Sequence, residues 1–322
     1  MANSSLFASV NSNENENIYD SKGLPTVMFG STGVPIPRIV LGLGSRFCSI
    51  DSDQEANELL HFALDNGLYY WDTAHSYNNT IARPSKLPPA VKLVNSEERV
   101  GEVAKTRRKE IFLSTKVNAR NPNEAMKQLE LSLKRLNTDR LDMLKIHAIE
   151  ASDDLDKMCE KGGLVDVITR LKEEKVTRFI GFSCHSGVAG VELARRASFD
   201  CMLMAMNQYA PRDNQRTEKT ITTALEKEMG YLLMKAVRPR ETIVGLEAQE
   251  LVKYALSLEG PHALALGMES IDVVKSNLDI LRNFQKMPQQ RMQELAVQLA
   301  PFYHNDNLPW MQKGYNDGYW FC

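Results

Sequence analysis

Tyr69-Tyr70-Trp71-Asp72-Thr73-Ala74-His75-Ser76-Tyr77 is an aromatic run closed by a carboxylate and followed, five residues on, by a phenol. An apolar run that ends in an acid reads as a buried strand opening into a site, because a charge is tolerated there only where water or a partner reaches it. Asp72 therefore stands at a strand mouth. Two later runs end the same way: Ile111-Phe112-Leu113-Ser114-Thr115 delivers Lys116, and Leu141-Asp142-Met143-Leu144-Lys145-Ile146 delivers His147. As parallel neighbours, these strands would bring Asp72, Tyr77, Lys116 and His147 together over one edge of a sheet.

Outward from this stretch the chain keeps one rhythm. Short apolar runs at Ile39–Leu43, Tyr69–Asp72, Ile111–Lys116, Met143–His147, Phe179–Ser183, Met202–Asn207, Tyr231–Lys235 and Ala263–Leu266 read as strands. They alternate with amphipathic stretches near 53–66, 96–106, 123–136, 164–175, 188–196, 217–229, 247–258 and 271–281 that read as helices. Asp51 or Ser52 suits the cap of the first helix and Gly67 its end, and Ser96 suits the cap of the second. Continuous apolar strands between helices predict a parallel sheet covered on its outer face, and eight such units close into an α/β (β/α)8 TIM barrel. An open doubly wound sheet would want a glycine-rich turn after its first strand, but Gly42-Leu43-Gly44 lacks the third glycine. In a barrel the site is built at the C-terminal ends of the strands, where the four polar residues fall.

The segment Val27 to Arg38, with Gly30, Ser31 and Gly33 between apolar residues, suits an N-terminal β-hairpin. The expected organisation is a loosely held tail over 1–22, the barrel over 23–300, and an aromatic-rich C-terminal extension over 301–322 that packs on the barrel. Residues 78–95, with Pro84, Pro88 and Pro89, form a long connection beside Tyr77 and read as a lid, a substrate-contact loop or a plain surface insertion.

A chain of 322 residues with 39 basic and 41 acidic side chains, net charge −2, has no basic field for nucleic acid. No run of about 18 apolar residues appears, so no membrane span is expected. Five cysteines, scattered without metal-ligand spacing, suit reduced thiols in a cytoplasm. Neither a basic nor an apolar signal region opens the sequence.

The four polar residues also make chemical sense together. A tyrosine, with an ordinary pKa of about 10, becomes an acid–base group near neutrality only when a cation stabilises its phenolate. Lys116 stands to do so, Asp72 to keep that lysine charged, and neutral His147 to hold a carbonyl oxygen beside Tyr77. Each has a plainer reading alone: a capping acid, a snorkelling lysine, a loop aromatic, a core histidine. Their arrival from successive strands on one barrel face favours function.

At this point the chain resembles the aldo-keto reductases, from Met28-Phe29-Gly30-Ser31-Thr32-Gly33 through Trp71-Asp72-Thr73-Ala74 with Tyr77, Ser114-Thr115-Lys116 and Lys145-Ile146-His147. The resemblance implies a tetrad in which Tyr77 gives a proton to a carbonyl while a nicotinamide gives hydride, with Lys116, Asp72 and His147 in support. It implies cofactor contacts from Ser183 and Gln208 to the carboxamide and from Asn277 to the adenine, while Lys235 and Arg238, just past the seventh strand, read either as pyrophosphate contacts or as ordinary solvated charges. At the adenosine 2′-position Glu269 stands where the family typically places a basic side chain, which leaves both NADP and NAD open. The expected activity is NAD(P)(H)-dependent interconversion of an aldehyde, ketone or sugar with its alcohol. A cofactor-binding barrel without catalysis, acting as a regulatory subunit, is the alternative, and a Schiff-base lyase using Lys116 a third. Substrate, direction and oligomeric state are not legible. Cys184-His185 is a poor metal pair, lacking further ligands at suitable spacing.

Overall fold

The computed structural model describes residues 18–79, 93–205, 214–241 and 243–303. Among the described residues ten strands run in chain order as β1 (Thr26–Met28), β2 (Pro35–Pro37), β3 (Ile39–Gly42), β4 (Tyr70–Asp72), β5 (Phe112–Val117), β6 (Leu141–Ile149), β7 (Thr177–Cys184), β8 (Cys201–Ala205), β9 (Gly230–Met234) and β10 (Ala263–Gly267). The last eight form a closed barrel in which every neighbouring pair is parallel, and β10 returns to pair with β3 through Leu264 opposite Ile39. This is the (β/α)8 arrangement that the alternating sequence predicts.

Helices cover the outside because each presents one apolar stripe to the strands. In chain order they are α1 (Ser45–Cys48), α2 (Asp53–Asp65), α3 (Ser96–Arg107), α4 (Pro122–Arg135), α5 (Leu155–Cys159), α6 (Leu164–Glu173), α7 (Gly187–Arg196), α8 (Asn214–Glu226), α9 (Ala248–Ser257), α10 (Ile271–Arg282) and α11 (Gln289–Leu299). The short α1 and α5 and the terminal α11 stand outside the sequence-read rhythm. In α11 the buried Leu295 and Leu299 fasten the helix to the core.

One cap differs from expectation. The side chain of Asn95, not Ser96, accepts the amides of Glu97 and Glu98, because Asn95 is extended and Ser96 is already helical. Ser96 instead braces the strand exits. Its Oγ donates to the Leu43 carbonyl at 2.8 Å and lies 2.8 Å from Thr73 Oγ1, tying the ends of β3 and β4 together.

The floor of the barrel is closed by the N-terminal segments. β1 and β2 form the expected antiparallel hairpin, and Phe29 from its turn packs edge-on against Tyr70, ring centroids 5.8 Å apart. Tyr19 stacks on Tyr69 at 5.1 Å and donates its hydroxyl to Asp142, so the loosely held tail expected through Lys22 does not reach Tyr19, whose ring has an apolar wall and a buried acid to bind. The expectations for 1–17, for 80–92 within the long connection, and for 304–322 fall outside the described residues. Among the described residues no helix is long and apolar enough to cross a membrane.

Candidate active site

At the opposite end of the barrel the strand termini aim their polar residues inward. Register explains which ones meet: Asp72 on β4 pairs with Ser114 on β5, and two residues on, Lys116 pairs with Lys145 on β6. Paired residues on parallel strands point to the same face, so both lysines enter the barrel beside one carboxylate.

The contacts are short and specific. Lys116 Nζ donates to Asp72 Oδ2 at 2.6 Å and to the Thr73 carbonyl at 2.7 Å, and its remaining donor faces the Tyr77 hydroxyl at 3.5 Å. That last separation lies at the outer limit of a hydrogen bond. The ammonium also sits 4.8 Å from the Tyr77 ring centroid, and the His147 ring meets Tyr77 edge-on at 5.5 Å between centroids. Asp72, Tyr77, Lys116 and His147 are thus brought to one place, as the strand order predicts.

Lys145 is a member that sequence reasoning passed over. Its Nζ donates to the other carboxylate oxygen, Asp72 Oδ1, at 2.7 Å, to Ser114 Oγ at 2.6 Å and to the Tyr70 hydroxyl at 3.2 Å. Both ammonium-bearing residues are fully buried, at 0% exposure. Burial by itself would raise the Asp72 carboxyl, but the charges of Lys116 and Lys145 outweigh it and hold the group well below the usual carboxylate range. Burial by itself would lower Lys145, and Asp72 reverses that, holding the ammonium above the usual lysine range. The signal was available: Lys145 lies two residues before His147, and the period of a strand puts both on one face.

His147 has an orienting neighbour in Asn118, two residues beyond Lys116. Asn118 Nδ2 lies 3.0 Å from His147 Nδ1. In this amide orientation the nitrogen donates, Nδ1 accepts and the ring proton falls on Nε2, while Asn118 Oδ1 stays buried without a partner among the described residues. Just past His147, Ala148 holds a left-handed backbone at φ 51°, which directs its amide to Ser183 Oγ at 2.8 Å and its carbonyl to Arg120 at 2.7 Å. A non-glycine residue in that conformation is strained, and here the strain shapes the rim beside the site.

A cleft runs from Asp72 and Tyr77 along the exits of β3, β9 and β10 and contains Lys235 and Arg238. Its wall is bare at Gly42, Gly44 and Gly267: a Cβ at Gly267 would lie 2.9 Å from Arg46 Cβ, and one at Gly44 3.4 Å from the Tyr77 ring. Lys235 adopts φ 66°, a second strained position on the rim. Arg46 and Glu241 line the same cleft and were also missed. Arg46 spans from β3 to the turn after β10, with NH1 3.4 Å from Glu269 and NH2 3.8 Å from Glu241, while Arg238 Nε stands 3.1 Å from Glu241. Burial raises the Glu241 carboxyl against the pull of Arg238 and Arg46. Glu269 is therefore paired with a cation from across the barrel seam, a contact no local spacing could reveal.

Ser183 and Asn277 are buried, on β7 and α10 respectively, and Gln208 lies outside the described residues. Cys184 Sγ rests 3.2 Å from Met204 Sδ, and burial pushes its thiol up, as expected of an inert core cysteine. A bare-walled cleft lined by Arg46, Lys235 and Arg238 beside the half-buried Tyr77 has the shape and the cations to take an extended anionic cofactor.

Comparison with known proteins agrees with this geometry. The aldo/keto reductase family profile matches residues 38–238. Uncharacterized oxidoreductase YqkF of Bacillus subtilis (strain 168) is 24% identical over 187 residues, 54% of each chain. Aldo-keto reductase yakc [NADP(+)] of Schizosaccharomyces pombe is 28% identical over 176 residues, 50% of this chain and 45% of that one. The matched stretches thus span about half the length of these relatives. Among solved structures, the aldo-keto reductase AKR11C1 of Bacillus halodurans in its holo form superposes with a TM-score of 0.66 at 20% identity, over 85% of this chain and 96% of that one, which speaks for the fold. On the profile match across most of the barrel, the chain belongs to the aldo/keto reductase family.

Proposed function

We propose that the protein is an NAD(P)(H)-dependent oxidoreductase that interconverts a carbonyl and its alcohol, with Tyr77 as the proton donor and acceptor. The observation that carries this is the Asp72–Lys116–Tyr77 chain, with separations of 2.6 and 3.5 Å, lying edge-on to the His147 ring at one end of a bare-walled cationic cleft. The nicotinamide dinucleotide supplies hydride when bound. This chain's residues do the rest. Tyr77 delivers its hydroxyl proton to the carbonyl oxygen, and Lys116 stabilises the phenolate left behind. His147, with its proton on Nε2, donates to the same oxygen and fixes it beside the phenol. Asp72 keeps Lys116 charged.

Lys235 and Arg238 are assigned to the pyrophosphate, Ser183 and Gln208 to the carboxamide, and Asn277 to the adenine. At the adenosine end Arg46 and Glu269 present one cation and one acid, so NAD and NADP both lie within the reading; NADP(+) stands in the name of the fission-yeast relative. Lys116 as a Schiff-base nucleophile is disfavoured, because its 2.6 Å contact with Asp72 keeps the amine protonated. The test is nicotinamide-dependent absorbance change over a panel of aldehydes, ketones, sugars and alcohols. Tyr77→Phe is expected to lose about 10²- to 10⁴-fold in kcat while still binding the dinucleotide. Full turnover by that variant would remove Tyr77 from the chemistry.

A further inference from the structure

The tetrad contains one acid and one ammonium, and the structure adds a second ammonium to the same acid. Asp72 gives Oδ2 to Lys116 and Oδ1 to Lys145, at 2.6 and 2.7 Å. Every donor of Lys145 is engaged, on Asp72, Ser114 and Tyr70. Asp72 is the one carboxylate that the two ammonium groups share among the described residues. The remaining ionisable neighbours of Lys145 do not supply a compensating anion: burial raises the Tyr70 phenol and pushes the Cys201 thiol up to about 12, so both stay neutral. Asp72 is thus shared between two buried cations.

We propose that Lys145 is a positioning residue for proton transfer: by drawing part of the Asp72 charge away from Lys116, it leaves more of the Lys116 charge to stabilise the phenolate of Tyr77. A carboxylate held by Lys116 alone would cancel most of that ammonium's field at the phenol, whereas one shared with a second buried ammonium cancels less of it, and in a poorly screened interior the difference favours the anion. The groups that face Tyr77 are Lys116 on β5 and His147 on β6, with Asp72, Arg46, Lys235, Arg238 and Glu241 lining the cleft it borders. Those that face Lys145 are Asp72 and Tyr70 on β4, Ser114 and Lys116 on β5, and Cys201 on β8. In alcohol oxidation the phenolate oxygen accepts the hydroxyl proton, and in carbonyl reduction the phenol returns it, so the charge on the cluster sets the pH at which each direction is served. This inference rests on Tyr77 as the proton-transferring group.

The test compares the unmodified protein with Lys145→Met, which keeps the length of the side chain without its charge, and Lys145→Gln, which keeps a donor to Asp72. Phenolate absorbance near 295 nm is titrated in all three, with Tyr77→Phe subtracted to isolate residue 77; this readout needs no turnover. Residue 77 in the unmodified protein is expected to ionise below the ordinary tyrosine value of about 10, and both neutral variants are expected to move it up by about one pH unit. The limb of the kcat–pH profile for alcohol oxidation should move with it, a loss of about tenfold at fixed pH below the limb. A purely structural role would lower kcat by one factor at every pH and leave the midpoint in place, which would overturn the proposal. So would ionisation of residue 77 in the unmodified protein at or above about 10, a result that needs no folded variant. Turnover with an unmoved midpoint refutes the role of Lys145 alone. A moved midpoint in a protein that reduces and oxidises nothing on the panel refutes the oxidoreductase reading and leaves the electrostatic role standing.

Discussion

Asn118 shows how much of this site is decided by single atoms. With its Nδ2 toward the ring, 3.0 Å from His147 Nδ1, Asn118 places the ring proton on Nε2. Asn118→Asp replaces that donor by an acceptor and draws the proton to Nδ1. We expect kcat for carbonyl reduction to fall about 10- to 100-fold with the fold intact, measured by steady-state kinetics beside a circular dichroism spectrum; unchanged kcat would separate Asn118 from the chemistry. Asp72, Tyr77, Lys116 and His147 were legible in the sequence because each is a titratable group at or just beyond the end of an apolar run. Lys145, Arg46 and Glu241 were not. Which anion balances a buried lysine depends on cross-strand register, here Lys116 beside Lys145, and Arg46 finds Glu269 only because β3 and β10 close the barrel.

Among the elements, the hairpin of β1 and β2 carries a constraint that can be checked directly. Gly30 in its turn has φ 53°, and a Cβ there would lie 2.4 Å from Gly230 N and 2.5 Å from the Glu228 carbonyl, both main-chain atoms that cannot step aside. Gly30→Ala should therefore destabilise the protein by about 2 kcal/mol or more in urea unfolding, and a loss below about 0.5 kcal/mol would mean that the hairpin does not seat against the floor as described. The elements were read well where apolar runs are unbroken and less well where a charge lies inside a strand. β6 begins at Leu141 rather than Met143 because Asp142 is held in the ladder: it accepts the Leu113 amide at 2.9 Å and pairs with Arg108 and Arg178 at 2.9 and 2.8 Å. An acid met by four partners from other segments, Tyr19 among them, looks, in one dimension, like a residue that belongs in water.

For the whole molecule, buried carboxylates govern the response to acid. Burial would raise Asp142, but Arg108, Tyr19, the Leu113 amide and Arg178 bring it below the usual range, and Asp72 is held low by its two lysines. Both therefore bind protons less readily folded than unfolded, so the stability they contribute is present above the unfolded value of about 4 and is lost as pH falls through the lower folded values. His75 and His262, lowered by burial, add a loss that begins near the unfolded imidazole value of about 6.5. Lys145, raised in the fold, contributes stability below its unfolded value of about 10.4 that is lost only at higher pH. Urea midpoints measured from pH 8 to pH 3 should decline gently below about 6.5 and steeply below about 4. Asp142→Asn should lower the plateau by about 3 kcal/mol and flatten the steep limb; an acid limb of unchanged slope would contradict the assignment. The barrel itself was legible from the count of alternating units, whereas its closure, β10 against β3, and the packing of Tyr19 under its floor depend on residues far apart in the chain.

The measurement closest to the central claim is the fate of the hydrogen at C4 of a reduced nicotinamide dinucleotide labelled there with deuterium. With an accepted carbonyl substrate, the account predicts deuterium on the carbinol carbon, transferred from one face of the ring only, and strongly reduced product formation in Tyr77→Phe. Product free of deuterium with either face labelled, or formed at the same rate without the dinucleotide, would contradict it.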